Sequence, residues 1–78
     1  MKEFVEMMAR HLVDQPDGVQ VEEKLVTENK IVLTLKVAKE DIGKVIGKQG
    51  KTAQAMRVLL TAVAAKDGKK AILEIADK

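Results

Sequence analysis

Apolar residues recur along the chain with two different periods, and the switches between them mark its elements. Phe4, Met8, His11 and Leu12 fall at i, i+4, i+7 and i+8, with Val5 and Met7 in support, which predicts a helix over residues 2–14 that Pro16 and Gly18 end. The period then drops to two. Val19, Val21 and Leu25 alternate with Gln20, Glu22 and Lys24, interrupted by Glu23, as a strand with one buried face would. Glu28-Asn29-Lys30 makes a turn, and Ile31, Leu33, Leu35 and Val37 alternate with Val32, Thr34, Lys36 and Ala38, the cleanest two-residue period in the chain. A hairpin follows, with its second strand inside the sheet. Asp41 to Ile46 reads as a short helix and Lys51 to about Ala65 as a long one, before Asp67-Gly68-Lys69 turns into a third strand at Ala71, Leu73 and Ile75. The predicted order is α-β-β-α-α-β, an α+β chain with no internal repeat or linker.

Composition narrows the function. At 78 residues the chain is expected to be one domain, residues 1–78, near the size at which a single core supplies only a few kcal/mol. There is no cysteine for disulfides or thiolate metal sites, so an oligomer interface is the natural source of extra stabilisation. The N-terminus lacks a basic-then-apolar signal pattern, and no apolar run reaches the length of a membrane span, so a cytoplasmic location is expected. A formal charge of +2 is too small to make the whole surface a polyanion binder. Any basic footprint is local: Lys44, Lys48, Lys51 and Arg57 supply one, while acids concentrate at Glu3, Glu6, Asp14, Asp17, Glu22 and Glu23.

Catalytic constellations are missing. With one histidine, no cysteine and no serine, neither a nucleophile triad nor a metal cluster can be assembled, and no enzyme activity, metal or cofactor is expected. His11 reads as a surface or half-buried helix residue. The paired carboxylates Glu22/Glu23 and Glu40/Asp41 fall where strand and helix-start readings explain them, with Asp41 expected to serve the first turn of the short helix. Phe4 is the only aromatic residue, which disfavours modules that stack bases on aromatic platforms.

One stretch, Gly43-Lys44-Val45-Ile46-Gly47-Lys48-Gln49-Gly50-Lys51-Thr52, carries the chemistry. Three glycines and three lysines lie within ten residues between two helical segments, so the backbone must turn where Gly47 and Gly50 permit it, with Lys48 and Gln49 at the tip. Gly50-Lys51-Thr52 has the tail of a phosphate-binding P-loop, but Val45 stands where that motif needs its other glycine, and no strand precedes it. A helix-GxxG-helix unit remains. The amides that open the following helix add a positive dipole end that favours phosphate.

This segment and the element order resemble a KH domain of the prokaryotic, type II arrangement. Leu12-Val-Asp-Gln-Pro-Asp17, the strand pair, Asp41-Ile42-Gly43 and Met56-Arg57-Val58-Leu59-Leu60 extend the likeness along essentially the whole chain to the KhpA family of small stand-alone bacterial KH-domain RNA-binding proteins. The resemblance implies a three-stranded sheet with helices packed on one face, single-stranded RNA as ligand, a homodimer, and association with a larger KH-containing partner of the KhpB (Jag) type. It implies a clamp for about four nucleotides, with the GxxG loop on the sugar-phosphate backbone and the bases over an apolar groove. Gly43, Lys44, Ile46, Gly47, Lys48, Gln49, Gly50 and Lys51 are then the RNA-binding candidates. Ile46 would wall the groove, with some face of the Ile31 to Val37 strand contributing. The function expected is that of an RNA chaperone or post-transcriptional regulator, the alternative being a protein-interaction subunit of a larger KH-containing complex with little RNA binding of its own.

The long helix has two apolar faces, one at Ala53, Met56, Leu60, Val63 and Ala64 and another at Ala55, Val58, Leu59, Ala62 and Ala65. Its only clear polar stripe is Gln54, Arg57 and Thr61. An arc this wide on a small chain predicts that one face packs on the sheet and the other on a second copy, without deciding which is outward. Met56, Leu59, Leu60 and Val63 are the candidate dimer-interface residues.

Overall fold

The computed structural model describes residues 1–77. Its elements are α1 (Lys2–Leu12), β1 (Gln20–Thr27), β2 (Lys30–Val37), α2 (Ile42–Ile46), α3 (Lys51–Lys66) and β3 (Lys70–Asp77), with single 3-10 turns at Pro16–Gly18, Lys39–Asp41 and Lys48–Gly50. The α-β-β-α-α-β order is the one the patterning predicts.

β2 is the middle strand of a mixed three-stranded sheet. It pairs antiparallel with β1, from Gln20 opposite Lys36 to Thr27 opposite Lys30, with a bulge between Leu25 and Thr27. It pairs in parallel with β3, from Lys30 opposite Lys70 to Val37 opposite Asp77. A parallel pair needs a crossover, and α2 and α3 provide it. The strict alternation along β2 now has its cause: Ile31, Leu33, Leu35 and Val37 are all buried beneath the helices, whereas Val32, Thr34 and Lys36 lie on the opposite, part-exposed face. All three helices thus cover one side of the sheet. Val5 and Ala9 of α1, Val45 of α2, and Met56 and Leu60 of α3 meet the β2 residues and Leu73 in one core.

Three details depart from the sequence reading. In α1 the stripe that is fully buried is Val5 and Ala9, continued by Val13; Phe4 and Met8 flank it half-buried, and His11 and Leu12 are exposed. The smaller side chains let the helix lie close to the sheet, and the longer ones reach around its sides. In β1, Leu25 shares the helix-facing side with Val21 yet is 62% exposed, because β1 is an edge strand and the helices cover only its beginning. In α3 the question of which face is outward is settled: Ala53, Met56, Leu60 and Ala64 are buried, while Ala55, Val58, Leu59, Ala62 and Ala65 face outward.

Candidate nucleic-acid interface

α2 is a helix of five residues, and glycine ends it. Gly47 donates its N–H to the Gly43 carbonyl at 2.9 Å while adopting φ 76°, ψ 177°, a conformation open in practice only to glycine. Gln49 (φ 58°) and Gly50 (φ 75°) follow in the left-handed region, and Gly50 N–H closes the turn on the Gly47 carbonyl at 3.2 Å. Gln49 is the one non-glycine residue with positive φ among the described residues. For a side chain of this size that conformation costs roughly 1–2 kcal/mol, a strain the loop retains.

The turn is packed from behind. A Cβ on Gly47 would lie 2.6 Å from Thr52 Cβ and 2.9 Å from the Thr52 backbone nitrogen, so the loop rests directly on the first turn of α3. Gly50 and Gly43 differ from it, since neither would bring a Cβ within 4 Å of anything, and Gly43 has ordinary helical geometry. Lys48, Gln49 and Lys51 project into solvent, and among the described residues neither lysine has a carboxylate partner. No side chain caps the N-terminus of α3; its first amide, that of Lys51, donates instead to the Lys48 carbonyl of the turn.

Lys44 stands apart from the other lysines. Its ammonium is hydrogen-bonded to the Asp14 carboxylate and lies 3.8 Å from Asp41 Oδ1. The hydrogen bond to Asp14 holds its pKa above the ordinary lysine value, with the charges of Asp14 and Asp41 adding to it and desolvation opposing it. Asp41 stands at the start of α2, as expected, but its side chain makes no capping hydrogen bond there. It is 1% exposed, and its carboxylate accepts the backbone N–H of Gln15 at 3.0 Å and of Asp14 at 3.3 Å, tying the segment after α1 to the start of α2. Nothing in the local sequence around either aspartate signals this pairing across 26 and 27 residues. Arg57, part of the expected basic footprint, turns instead to the edge of β3, where its Nε donates to the Leu73 carbonyl at 3.4 Å.

Gly43, Lys44 and Ile46 on α2, the Gly47–Gly50 turn and Lys51 on α3 form one continuous strip, with Ile46 exposed at its side. Of the two faces of β2, the helix-facing one is sealed in the core, and only the Val32, Thr34 and Lys36 face is part-exposed. α2 also packs against β3, whose Ile75 is only partly buried. The expected interface set on α3 also divides. Met56 and Leu60 are core residues of this chain and are unavailable to a partner, Val63 is half-buried, and only Leu59 is well exposed, at 51%. Val58, absent from that set, is 63% exposed. Leu59 and Ala55 line a shallow depression of about 500 Å³ with Met7 and Leu12 of α1. Among the described residues no group of histidines and carboxylates is placed to hold a metal ion, and no helix is long and apolar enough to cross a membrane.

A short helix, a GxxG turn resting on a longer helix, and a β-β-crossover-β sheet beneath them define a KH domain in the type II order. The chain belongs to the KhpA/KhpB KH-domain family, whose model matches residues 2–75. It is 53% identical over 75 residues to a Clostridium perfringens protein named RNA-binding protein KhpA, spanning 96% of this chain and 99% of the relative. Proteins of the same name from Chlamydia trachomatis and Aquifex aeolicus are each 47% identical, over 78 residues (100% of this chain and 99% of the relative) and 75 residues (96% and 94%) respectively. No solved structure matches.

Proposed function

We propose that residues 1–78 act as a single KH domain that binds single-stranded RNA, with the Gly47-Lys48-Gln49-Gly50 turn against the sugar-phosphate backbone. The observation that carries this is the turn itself: Gly47 in a glycine-only conformation with no room behind it, Gln49 and Gly50 in the left-handed region, and Lys48, Gln49 and Lys51 exposed in front. The names of the relatives support the same ligand. Lys48 and Lys51 meet phosphates, Gln49 offers a neutral amide, and the positive dipole end of α3 adds attraction. Gly43 lets the nucleic-acid backbone approach α2, and Ile46 with Ile75 forms the aliphatic side against which bases lie. Lacking an aromatic platform, the site binds modestly and with broad selectivity, as suits an RNA chaperone or post-transcriptional regulator in the cytoplasm.

The protein acts as a homodimer through the outward face of α3, with Leu59 and Val58 at its centre and Met7 and Leu12 of α1 beside them. Two sites then engage one RNA, which raises avidity without new contacts. The same exposed apolar face favours a second reading, in which a larger KH-containing protein of the KhpB type docks there and the chain serves mainly as an interaction subunit.

Electrophoretic mobility of cellular RNA with the parent and with the Lys48→Asp, Gln49→Asp double variant separates these readings. The double variant reverses charge at the exposed turn without touching the core, so circular dichroism is unchanged while RNA binding is lost. RNA binding equal to the parent's at the same salt would remove the turn from the site.

A further inference from the structure

We propose a second phosphate contact on the side of the sheet away from the helices, at the end opposite the GxxG turn. The registers of β1, β2 and β3 bring Lys24, Lys30 and Lys70 together there. Lys30 and Lys70 are direct partners across the parallel pair, and in the next row Lys24, Val32 and Ile72 stand side by side. All five residues point away from the helices, because the residues between them along each strand face the core side. Strands in a sheet lie about 4.8 Å apart, so Lys30 and Lys70 set two like charges on adjacent backbones, an arrangement that destabilises a sheet.

Two lysines of the fold are neutralised by carboxylates. On this same face Lys36 bonds Glu22 at 2.9 Å, and on α2 Lys44 has Asp14. Among the described residues Lys24, Lys30 and Lys70 have no carboxylate within ion-pair distance. Glu22 and Glu74 occupy the following row, opposite Thr34, and bound the patch on that side. The backbone under it is held as well, since Lys70 N–H bonds the Asn29 carbonyl at 2.6 Å and fixes the hairpin turn to the start of β3. Two part-exposed aliphatic side chains ringed by three unpaired ammonium groups suit a polyanion backbone, and RNA is the polyanion this chain is proposed to hold.

The inference rests on the RNA-binding reading and extends it. α3 has 16 residues and therefore spans roughly 24 Å between the GxxG turn and the turn into β3. A strand of about four nucleotides filling the clamp does not reach the lysine patch, whereas a long RNA passing around the molecule does. The sheet contact thus discriminates by length, adding affinity only for RNA well beyond the clamp's own footprint.

The test measures affinity and its salt dependence for a single-stranded RNA of about five nucleotides and one of about twenty. The parent is compared with the Lys30→Gln, Lys70→Gln double variant and with a control of equal charge loss, Lys2→Gln with Lys39→Gln. Expected is unchanged binding of the short RNA by both variants, and for the long RNA about tenfold weaker binding by the sheet variant alone. Its log-log salt slope falls by about 1.4 in magnitude, the release expected for two phosphate contacts on a single strand. Parent-like affinity and slope of the sheet variant on the long RNA, or an equal loss in the control, would overturn the proposal. Failure of the parent to bind the short RNA is a different result, and counts against the clamp. Circular dichroism of both variants guards the comparison, the removed charges being on the surface.

Discussion

Replacing Gly47 by alanine asks whether the GxxG turn is built by packing or merely by flexible residues. The added methyl would overlap Thr52, at 2.6 Å from its Cβ and 2.9 Å from its backbone nitrogen. Rotating the Thr52 side chain does not relieve those two contacts, because both atoms are fixed by the first turn of α3. The φ of 76° with ψ of 177° adds its own penalty of about 1–3 kcal/mol for any residue with a Cβ. Overpacking adds about 1–3 kcal/mol, for a total of about 2–6 kcal/mol. A chain of 78 residues has only about 4–12 kcal/mol of stability, so the loss is a large share of it. For a mid-range loss of about 4 kcal/mol, thermal unfolding followed by circular dichroism drops by about 16–32 °C, at about 4–8 °C per kcal/mol. Gly43→Ala is the internal control, because its Cβ meets nothing within 4 Å and its φ is ordinary; removing a helical glycine raises stability by up to about 1 kcal/mol. If Gly47→Ala melts within a few degrees of the parent, the turn is not packed as described and the reasoning fails. The Gly43→Ala protein also carries a functional outcome: more stable, yet weaker for RNA, since the methyl occupies the space the nucleic-acid backbone needs.

Asp41→Ala strips two backbone amides of a buried acceptor and is expected to cost about 3 kcal/mol in urea unfolding, an effect under about 1 kcal/mol being incompatible with the tie between α1 and α2. Asp14→Ala frees Lys44 to meet phosphate, so RNA binding tightens several-fold while the Lys44 pKa, followed by NMR, falls toward its ordinary value; unchanged values of both would mean that the pair does not form in solution. Because the folded pKa of Lys44 is raised, the pair's contribution is complete below the unfolded lysine's pKa and is lost as pH climbs through the folded one, so near-neutral pH leaves it intact. Leu59→Glu converts the dimer to a monomer in sedimentation equilibrium at micromolar concentration with little change in helix content, whereas a parent of monomer mass would dispose of the dimer altogether.

The parts of the fold that were legible are those fixed by short-range periodicity. Ile31 to Val37 announces a strand covered on one face because the covering helices impose the alternation directly, and Gly47 and Gly50 announce a turn because both take positive φ, which glycine adopts without strain. What escaped depends on partners distant in sequence. Leu25 carries the right pattern for burial but lies past the reach of the helices. Met56 and Leu59 belong to two apolar arcs of comparable hydrophobicity, and only the position of the sheet decides which arc is inside. Asp14, Asp41 and Lys44 look like three ordinary surface charges until the fold places them together, which turns one candidate phosphate ligand into half of an ion pair.

Every residue of β2 pairs with the residue forty positions further along β3, from Lys30 with Lys70 to Val37 with Asp77. The entire GxxG segment is enclosed within that span. Closing it sacrifices the freedom of a long loop before any parallel ladder is gained, the kind of non-local pairing that slows folding. The GxxG turn is therefore coupled to a non-local event through α3, whose Met56 and Leu60 pack on the sheet that residues 70–77 complete. Substitutions in β3 that touch neither the turn nor its lysines will reach the site through this closure, appearing as a smaller folded, binding-competent population and not as a weaker contact.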